Sequence, residues 1–367
     1  MSTPAADRPE RRLLWAMLRG QRPWRELHYL SLMPHTRVTA IGEVRPPEEV
    51  DFLQTRYRQP TTRFVEAGAL CWMRDLERAP ADLDWEASLE LCSLVTGQVS
   101  AQARRRATRQ AVLVWANDPD TPLYRLPPYR QAVQRARDAD LFLCFVEAAR
   151  DHCLTLGLPA ERCTVVHPGV DTELFHPAPE RTREPIAVFV SPVASNKGID
   201  RVLDAWRQVH RHIPDAKLKV VGRGPLDEAV HRAAASDPSI THLGAMPREQ
   251  VSAALRDSAV FVTAPRATPV WNEQFGLAYV EAMACGLPVV TTVCGSNHEA
   301  VVAPNLRVPD DVEALADGLV QLLADPDRGD VIGRLNRSYV EEHFELRRQC
   351  VRMGDAFAAV EDGVALA

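Results

Sequence analysis

Residues 258–299, with the sequence SAVFVTAPRATPVWNEQFGLAYVEAMACGLPVVTTVCGSNHE, decide the fold prediction for this chain. Apolar runs at 259–263 and 289–292 predict two buried strands, because each run is short and is bounded by loop residues. Between them, residues 275–277 mark the start of a short helix, which a Gly-Leu-Pro sequence ends. This order of strand, loop, helix and strand predicts a parallel α/β unit.

The loop and the helix start carry the residues that favour ligand binding. Ligands of open α/β sheets bind outside the carboxyl ends of the strands, where such loops lie. Glu273 and Glu281 flank the helix start, and each carboxylate can accept hydrogen bonds from two hydroxyl groups. Gly276 lets a ligand approach the backbone, and the helix amides after it favour an anion. The segment therefore predicts a sugar-nucleotide site, although two glutamates at this spacing alone are more often a solvent-facing pair.

Both flanks of this segment alternate between predicted strands and helices, which is typical of doubly wound α/β domains. The C-terminal part has predicted strands at 186–190 and 218–221 and helices at 199–210, 226–235, 251–256 and 312–324. The N-terminal part has predicted strands at 13–16, 37–41, 89–94, 111–115 and 141–146 and helices at 23–33 and 96–109. No element is predicted between 43 and 88.

The chain is long for one hydrophobic core, so its 367 residues predict two domains. A break near Pro168-Gly169 separates an N-terminal domain, 1–168, from a C-terminal domain, 169–344. A last helix, at about 345–360, is left free to pack on either domain, and the segment 345–367 is assigned to the first. The apolar residues of helix 199–210 form a one-sided stripe suited to packing on a sheet.

Composition excludes several classes of protein. A net charge of −6 gives no support to nucleic-acid binding. Eight cysteines without a CxxC pair, no signal peptide and no membrane-length apolar run predict a reduced, cytoplasmic protein. Peripheral contact with a membrane remains compatible with the sequence. The only lysines are Lys197, Lys217 and Lys219, among 43 basic residues.

Five stretches together resemble the landmarks of family 4 retaining glycosyltransferases. EQFGLAYVEAMACGLPVV (273–290) resembles the E-x7-E signature of that family, which has the GT-B fold. HPGVDTELF (167–175) is similar to the entry to the donor domain, and SNKGIDRVLDAW (195–206) to the region of the phosphate-binding lysine. VVGRGPL (220–226) and HLGAMPREQV (242–251) resemble the segments that flank the nucleotide base. The resemblance implies two Rossmann-like domains facing across a cleft.

Further roles follow from the resemblance alone. It implies that Glu273 contacts hydroxyls of the donor sugar and that Glu281 contacts the ribose. Gly276 and Leu277 would offer amides to the diphosphate, and Lys197 would neutralise its charge. Lys197 and Glu273 are thus the expected catalytic residues. The polar, glycine-containing loop that holds Lys197, between a predicted strand and an amphipathic helix, is by itself a place where anions bind.

The donor site is expected to include further residues, and the sequence also departs from the family. Phe275 beside the signature and Met246 in the base-flanking segment are expected donor contacts. Pro192 stands where family members often have an arginine before the lysine. Upstream of about residue 140 the resemblance is thin, and Gly20 and Asn117 are the candidates there for contacts to phosphate and sugar.

Two points about nearby residues stay open in the sequence. Either Arg266 or Arg223 is a candidate to replace the missing arginine, and the sequence places neither. The glycines of VGRGP, Gly222 and Gly224, fit a tight turn better than a dinucleotide fingerprint, because the third glycine is missing.

The functional prediction is transfer of a sugar from a nucleotide diphosphate donor to an unidentified small-molecule or lipid-linked acceptor, with retention of anomeric configuration. No cofactor and no metal are expected, because the donor is a substrate and protein groups supply the positive charge. Three alternatives are a catalytically silent GT-B protein that binds a nucleotide or a partner, a sugar-nucleotide epimerase, and a phosphorylase. The phosphorylase would need a lysine-bound pyridoxal site, and the three lysines give little support to one.

Overall fold

The computed structural model describes residues 8–19, 24–58, 71–115, 126–180, 182, 184–268 and 271–366. These residues divide into two α/β units. Unit 1 runs to Gly169 and resumes at Arg347, and unit 2 is Val170–Leu346. The sequence prediction places the corresponding boundaries after 168 and 344.

Unit 1 is built around a parallel sheet. Its strands are β1 (Arg11–Ala16), β2 (Thr36–Gly42), β3 (Asp51–Gln54), β4 (Tyr57–Arg58), β5 (Trp72–Met73), β6 (Trp85–Leu89), β7 (Arg109–Val114), β8 (Leu141–Cys144) and β9 (Cys163–Val165). The described strands form a seven-stranded sheet in the order β3-β2-β1-β6-β7-β8-β9, and β4 pairs with β5 antiparallel. The order changes direction between β1 and β6, which is the topological switch point of this unit.

Four helices of unit 1 connect these strands: α1 (Trp24–Ser31), α2 (Leu94–Arg106), α3 (Pro127–Ala136) and α4 (Glu147–Thr155). The prediction of a strand at 89–94 is wrong, because the apolar run spans the end of β6 and the start of α2. Glu90 has a φ of +62°, which breaks the extended backbone. Ser93 then caps α2, since its Oγ accepts from the amides of Val95 at 3.1 Å and Thr96 at 3.4 Å.

Unit 2 contains the second parallel sheet. Its strands are β10 (Ile186–Val190), β11 (Lys217–Val221), β12 (Ile240–Gly244), β13 (Val260–Thr263), β14 (Val289–Thr292) and β15 (Leu306–Val308). The six described strands lie in the order β12-β11-β10-β13-β14-β15, with the switch point between β10 and β13. The predicted bounds of β10 and β14 are confirmed.

Seven helices belong to unit 2 among the described residues: α5 (Ile199–His212), α6 (Asp227–Ser236), α7 (Arg248–Arg256), α8 (Leu277–Ala284), α9 (Asn297–Ala300), α10 (Val312–Leu323) and α11 (Pro326–His343). The predicted stripe on α5 is confirmed, because its apolar residues are buried in the core under the sheet. Within this core Trp206 donates its indole N–H to Ser239 Oγ at 2.9 Å. The two sheets with their helices confirm the predicted fold class of two Rossmann-like α/β domains.

The chain then returns to unit 1 through α12 (Leu346–Glu361). Glu361 at its end accepts from Arg11 Nε at 2.6 Å and from Trp85 Nε1 at 2.8 Å. Phe357 packs edge-on against the Trp85 ring, with the ring centroids 4.7 Å apart. The last helix therefore ties β1 and β6 together at the switch point of unit 1.

Candidate functional site

The two loops at the switch point of unit 2 hold the residues that the sequence singled out there. The loop after β10 carries Lys197 in a single 3-10 turn, Ser195–Lys197, and the loop after β13 leads to Glu273 and α8. Gly198 lets the loops touch, because its φ is +73° and a Cβ there would lie 1.7 Å from the carbonyl oxygen of Ala264. This edge is where doubly wound sheets bind their ligands.

Lys197 and Glu273, the two residues expected to be catalytic, form an ion pair. The ammonium Nζ lies 2.7 Å from Oε2 and 3.0 Å from Oε1 of Glu273. Glu273 is 7% exposed, whereas the Lys197 side chain is 20% exposed. The ammonium therefore neutralises a nearly buried carboxylate and still reaches solvent.

Trp271 completes this cluster and was missed by the sequence reasoning. The Lys197 ammonium lies 4.6 Å from the centroid of its indole ring. Thr268 and Trp271 exchange two backbone hydrogen bonds, at 2.7 and 3.3 Å, which hold the backbone of Trp271 in place. A cation over an aromatic face contributes about 0.5–1 kcal/mol at a partly exposed site. The only sequence signal for this role is an aromatic residue two positions before Glu273.

The start of α8 is held in place by contacts with the sheet. Gly276 has a φ of +85°, and a Cβ at this position would lie 2.2 Å from the ring of Tyr279. The Tyr279 hydroxyl accepts from Thr263 Oγ1 at 3.0 Å and lies 2.9 Å from Thr291 Oγ1, so it joins α8 to β13 and β14. Burial raises the pKa of this phenol, which therefore stays protonated. Leu277 is the first residue of α8, where backbone amides have no acceptor within the helix.

Glu281 lies on the second turn of α8, as predicted, and it faces a basic residue from α7. Arg248 Nη2 is 3.6 Å from Glu281 Oε1, and the same guanidinium lies 5.3 Å from the centroid of the Phe175 ring. Met246 is half-buried in the loop between β12 and α7. Arg248 therefore connects the predicted ribose residue to the predicted base-flanking segment, 242–251.

Arg266, one of the two candidate replacements for the missing arginine, lies against the Lys197 loop. Its amide donates to the carbonyl oxygen of Asn196 at 3.1 Å. Its Nη2 lies 2.9 Å from Asp200 Oδ2 and also contacts the Ser195 hydroxyl. The other candidate, Arg223, is exposed.

The two glycines of VGRGP are explained by packing. Gly222 has a φ of +135°, and a Cβ there would lie 2.0 Å from the carbonyl oxygen of Ser191. A Cβ on Gly224 would lie 2.4 Å from the carbonyl oxygen of Val193. The turn after β11 therefore packs its backbone directly on the loop after β10, which agrees with a tight turn.

The side chain of Phe275, another predicted donor contact, does not reach the Lys197–Glu273 cluster. The Phe275 side chain is buried, 1% exposed, and packs edge-on against Phe344 with centroids 5.3 Å apart. A donor contact from Phe275 must therefore come from its backbone. Gly20 and Asn117 lie outside the described residues.

Neither cysteine near the site is suited to act as a nucleophile. Burial, and then the charge of Glu281, raise the pKa of the Cys285 thiol to about 12. Burial also raises the pKa of Cys294. Thiols with raised pKa values stay protonated near neutral pH. Across the part of the chain that the structure describes, no group of three or more His, Cys, Asp or Glu side chains is arranged to hold a metal ion.

Comparison with known proteins agrees with this geometry. Residues 184–325 match the family described as Glycosyl transferases group 1. A GDP-mannose-dependent alpha-(1-6)-phosphatidylinositol monomannoside mannosyltransferase of Mycolicibacterium smegmatis is 29% identical over 270 residues, which is 68% of this chain and 71% of the relative. A related monoacylated monomannoside mannosyltransferase of Corynebacterium glutamicum is 31% identical over 48% of this chain and 51% of its own length.

Solved structures share the fold over nearly the whole chain. The Anabaena protein HepE in complex with UDP has a TM-score of 0.74 at 16% identity, over 95% of this chain and 100% of that one. A sucrose-phosphate synthase from Thermosynechococcus elongatus has a TM-score of 0.72 at 17% identity, over 96% of this chain and 100% of that one. The chain has the GT-B fold, and its C-terminal unit is similar to glycosyltransferases.

The family match lies wholly within unit 2, which also carries the Lys197–Glu273 cluster. The matched residues include β10, α5, β13 and α8, and therefore both loops at the switch point. Among the helices of the described residues, none is long and apolar enough to cross a membrane.

Proposed function

We propose that this protein moves a sugar from a nucleotide diphosphate donor to a hydroxyl-bearing acceptor, with retention of configuration at the anomeric carbon. One observation carries the proposal: the Lys197–Glu273 pair lies at the switch point between β10 and β13, in the loops that lead into α5 and α8. A basic group beside helix N-termini at such an edge suits a diphosphate. Lys197 and Glu273 are the proposed catalytic residues.

Stabilisation of the leaving group is the main catalytic contribution in this proposal. Cleavage of the bond between the anomeric carbon and the phosphate oxygen leaves an oxocarbenium-like sugar and extra negative charge on the diphosphate. Lys197 and the amides of Gly276 and Leu277 stabilise that charge. One preorganised donor in such a position contributes about 3–4 kcal/mol to the activation free energy.

Retention follows from attack on the face that the leaving group departs from. The acceptor oxygen forms its bond to the anomeric carbon as the phosphate leaves, and the departing phosphate takes the acceptor proton. No protein nucleophile is required, which agrees with the protonated state of the nearby Cys285 and Cys294 thiols. Resemblance to retaining family 4 enzymes supports this front-face displacement.

The two signature carboxylates have separate roles in the proposal. Glu273 accepts hydrogen bonds from the donor sugar once the diphosphate competes for Lys197, and Glu281 accepts from the ribose. Charge-assisted hydrogen bonds of this kind are stronger than neutral ones. Met246 and the backbone of Phe275 supply the remaining contacts, and the roles of Gly20 and Asn117 stay predictions.

We propose GDP-mannose as the donor and a lipid-linked polyol as the acceptor. The relatives from Mycolicibacterium and Corynebacterium are GDP-mannose-dependent enzymes that act on phosphatidylinositol monomannosides. A lipid-linked acceptor fits a cytoplasmic protein at the inner face of the membrane. UDP-sugars are the competing donors, since solved proteins of this fold contain UDP or UDP-glucose. The proposed reaction uses no cofactor.

A catalytically silent nucleotide-binding protein is the second candidate. Pro192 favours it, because the proline removes a cation from the region that precedes Lys197. The Lys197–Glu273 pair argues against it, since a nearly buried carboxylate is costly to a scaffold that has no use for it.

The test is a transfer assay with purified full-length protein. GDP-mannose, GDP-glucose, UDP-glucose and UDP-N-acetylglucosamine are each incubated with phosphatidylinositol monomannoside in mixed micelles. We expect a new glycolipid with GDP-mannose, with the axial anomeric bond of the donor kept in the product when measured by NMR coupling constants. An inverted product would contradict retention, and no product or nucleoside diphosphate with any donor would contradict the transferase.

A matched pair of variants assigns the activity to the site. Glu273→Gln removes the carboxylate paired with Lys197, and Glu184→Gln removes an exposed one that is also 2.7 Å from a lysine, Lys217. We expect turnover to fall about 10- to 100-fold for the first, because a charged hydrogen bond is lost. The second variant should keep its turnover within about twofold. Equal effects of the two would contradict the proposed site.

A further inference from the structure

The proposed site has too little positive charge for its ligand. A nucleoside diphosphate carries at least two negative charges on its phosphates at neutral pH, whereas Lys197 supplies one positive charge. Residue 192, on the same loop, is a proline. Helix amides contribute only about half a charge at a helix N-terminus. A second cation is therefore needed near Lys197, if the proposed function holds.

Arg266 is fixed at the same place by its backbone. Its amide donates to Asn196 O at 3.1 Å, so the chain after β13 lies directly against the turn that carries Lys197. Gly198 and Ala264 touch just beside it, and no side chain larger than hydrogen fits at Gly198. The guanidinium of Arg266 thus shares the loop junction with the ammonium of Lys197.

The guanidinium is partnered, yet its partner holds it at a single oxygen. Nη2 lies 2.9 Å from Asp200 Oδ2, while Asp200 Oδ1 has no hydrogen-bond partner among the described residues. The side chains of Arg266 and Asp200 are 32% and 40% exposed. Nη2 also contacts the Ser195 hydroxyl, and a partly exposed ion pair of this kind is worth about 1 kcal/mol. A phosphate, which accepts two parallel N–H bonds from arginine, competes well with such a partner.

The other described arginines near the site have different roles. Arg248 lies over the Phe175 ring and near Glu281, at the predicted ribose end. Arg201 is 2.9 Å from Asp310. The carbonyl of Arg223 accepts from Val193, but its guanidinium lies beside Gly244 at the end of β12, two strands away from β10.

We infer that Arg266 is the second cation of the diphosphate site, and that it exchanges Asp200 for a phosphate oxygen when a nucleoside diphosphate binds. Lys197 behaves in the same way towards Glu273. Without a ligand, Lys197 pairs with Glu273 and Arg266 pairs with Asp200. When the diphosphate binds, its oxygens replace both carboxylates. This inference rests on the proposed function, because it names a further residue of the same donor site.

The experiment measures affinity for GDP and for guanosine by calorimetry, with UDP and uridine as the second pair. Arg266→Gln should weaken diphosphate binding about 10- to 100-fold, since a charged hydrogen bond is lost. The affinity for the nucleoside should change less than about twofold. Arg266→Lys, which keeps the charge but not the bidentate geometry, should recover part of the loss.

Asp200→Asn separates a phosphate ligand from a structural clamp. If Arg266 binds phosphate, removing its competing charge should strengthen diphosphate binding by up to about fivefold. If the Arg266–Asp200 pair only holds the loop, Asp200→Asn and Arg266→Gln should both weaken binding and lower the melting temperature together, which would overturn the inference. Arg207→Gln is the control, because Arg207 pairs with Asp204 at 2.7 Å on the exposed face of the same helix, α5.

Failure of this inference differs from failure of the proposed function. Wild-type protein that binds neither GDP nor UDP would contradict the donor site as a whole. Wild-type protein that binds one of them, with Arg266→Gln binding it equally well, would contradict the role of Arg266 and leave the donor site in place.

Discussion

The two units share one fold and use their charged residues differently. In unit 2, Lys197, Glu273 and Arg266 lie at the switch point, where each cation is partly exposed and paired across loops. In unit 1, the carboxylates of Glu361 and Glu86 hold helices and strands together. Glu361 joins α12 to β1 and β6, and Glu86 is fully buried beneath α2.

This difference shows how a doubly wound sheet separates binding from support. Pairs at the carboxyl edge of unit 2 keep contact with solvent, so a ligand can compete for them. Pairs within unit 1 are held by several donors each: Glu86 accepts from Gln102 at 2.8 Å and from Thr108 at 3.0 Å. Substitutions of the Lys197–Glu273 and Arg266–Asp200 pairs should therefore change activity, and substitutions of Glu361 and Glu86 should change stability.

The largest effect is expected at Lys197. Lys197→Ala removes the only lysine at the switch point of unit 2 and should lower turnover about 100- to 1,000-fold, because charge on the leaving diphosphate loses its main partner. Its free energy of unfolding should fall by about 1–3 kcal/mol, because the nearly buried carboxylate of Glu273 loses its partner. Steady-state kinetics and urea unfolding measure both quantities.

Lys217→Ala is the control for that variant. Lys217 forms an equally short pair with Glu184 at the opposite end of the same sheet. Turnover within about twofold of wild type is expected for it. If Lys197→Ala lost much stability but no activity, the Lys197–Glu273 pair would serve to stabilise the fold, as the carboxylates of unit 1 do.

The start of α8 should show the next largest effect. Gly276→Ala places a methyl group 2.2 Å from the Tyr279 ring at a φ of +85°. We expect a loss of about 2–3 kcal/mol in unfolding free energy, together with weaker diphosphate binding, because α8 must shift.

Gly363→Ala controls for the backbone strain alone. Gly363 has a φ of +69°, and no atom would lie within 4 Å of a Cβ there. It should cost about 1 kcal/mol and leave diphosphate affinity unchanged. Equal stability losses in the two variants would show that contact with Tyr279 contributes nothing.

A smaller effect, on stability only, is expected at Glu361. Burial alone would raise the pKa of Glu361. The hydrogen bond and charge of Arg11, together with the hydrogen bond from Trp85, outweigh burial and lower this pKa below the usual 4.5. A lowered pKa stabilises the fold at neutral pH, and this contribution is lost as pH falls from 4.5 through the folded-state pKa. Glu361→Gln should therefore cost about 1–2 kcal/mol at pH 7 and less in acid.

Unfolding free energies of wild type and Glu361→Gln, measured from pH 7 down to pH 3, test this sign. Asp82→Asn is the control, because Asp82 pairs with Arg12 at 2.6 Å in unit 1 but is 68% exposed. A difference between wild type and Glu361→Gln that does not shrink in acid would contradict the role of the Glu361 charge.

The smallest effect is expected at Glu86. Burial raises its pKa, although Gln102 and Thr108 oppose the shift. Wild type therefore loses stability as pH rises from the ordinary carboxyl pKa through the raised one. Glu86→Gln should lack this pH dependence and be within about 0.5 kcal/mol of wild type at neutral pH, or more stable. A loss of more than about 2 kcal/mol would show that its charge is needed in unit 1.

The fold was predictable where the sequence pattern and the elements coincide. β10 is a continuous apolar run and β14 is the β-branched run VVTT. Both lie inside the sheet, and their bounds agree with the structure. The strand prediction at 89–94 failed because apolar residues alone do not reveal the φ of Glu90 or the cap formed by Ser93. Short strands such as β3 carry too few residues for a period to be recognised.

The sequence singled out the residues of the candidate site but not the pairs that they form. The signature spacing identified Glu273 and Glu281, and the loop context identified Lys197. Contacts between residues 66 or 76 positions apart, such as Arg266–Asp200 and Lys197–Glu273, depend on which strands are neighbours. Sequence spacing does not contain that information, so the choice between Arg266 and Arg223 required the structure.

The return of the chain through α12 has a consequence for synthesis. Unit 2 is a continuous segment, whereas unit 1 needs residues from Arg347 onward to hold β1 and β6. On the ribosome the second unit emerges whole before the first can close, and domains fold as they become complete. We expect stalled nascent chains that carry residues 1–346, followed by a linker long enough to fill the ribosomal exit tunnel, to protect unit 2 from protease while unit 1 is still cleaved. Equal protection of both would show that the first sheet closes without its last helix.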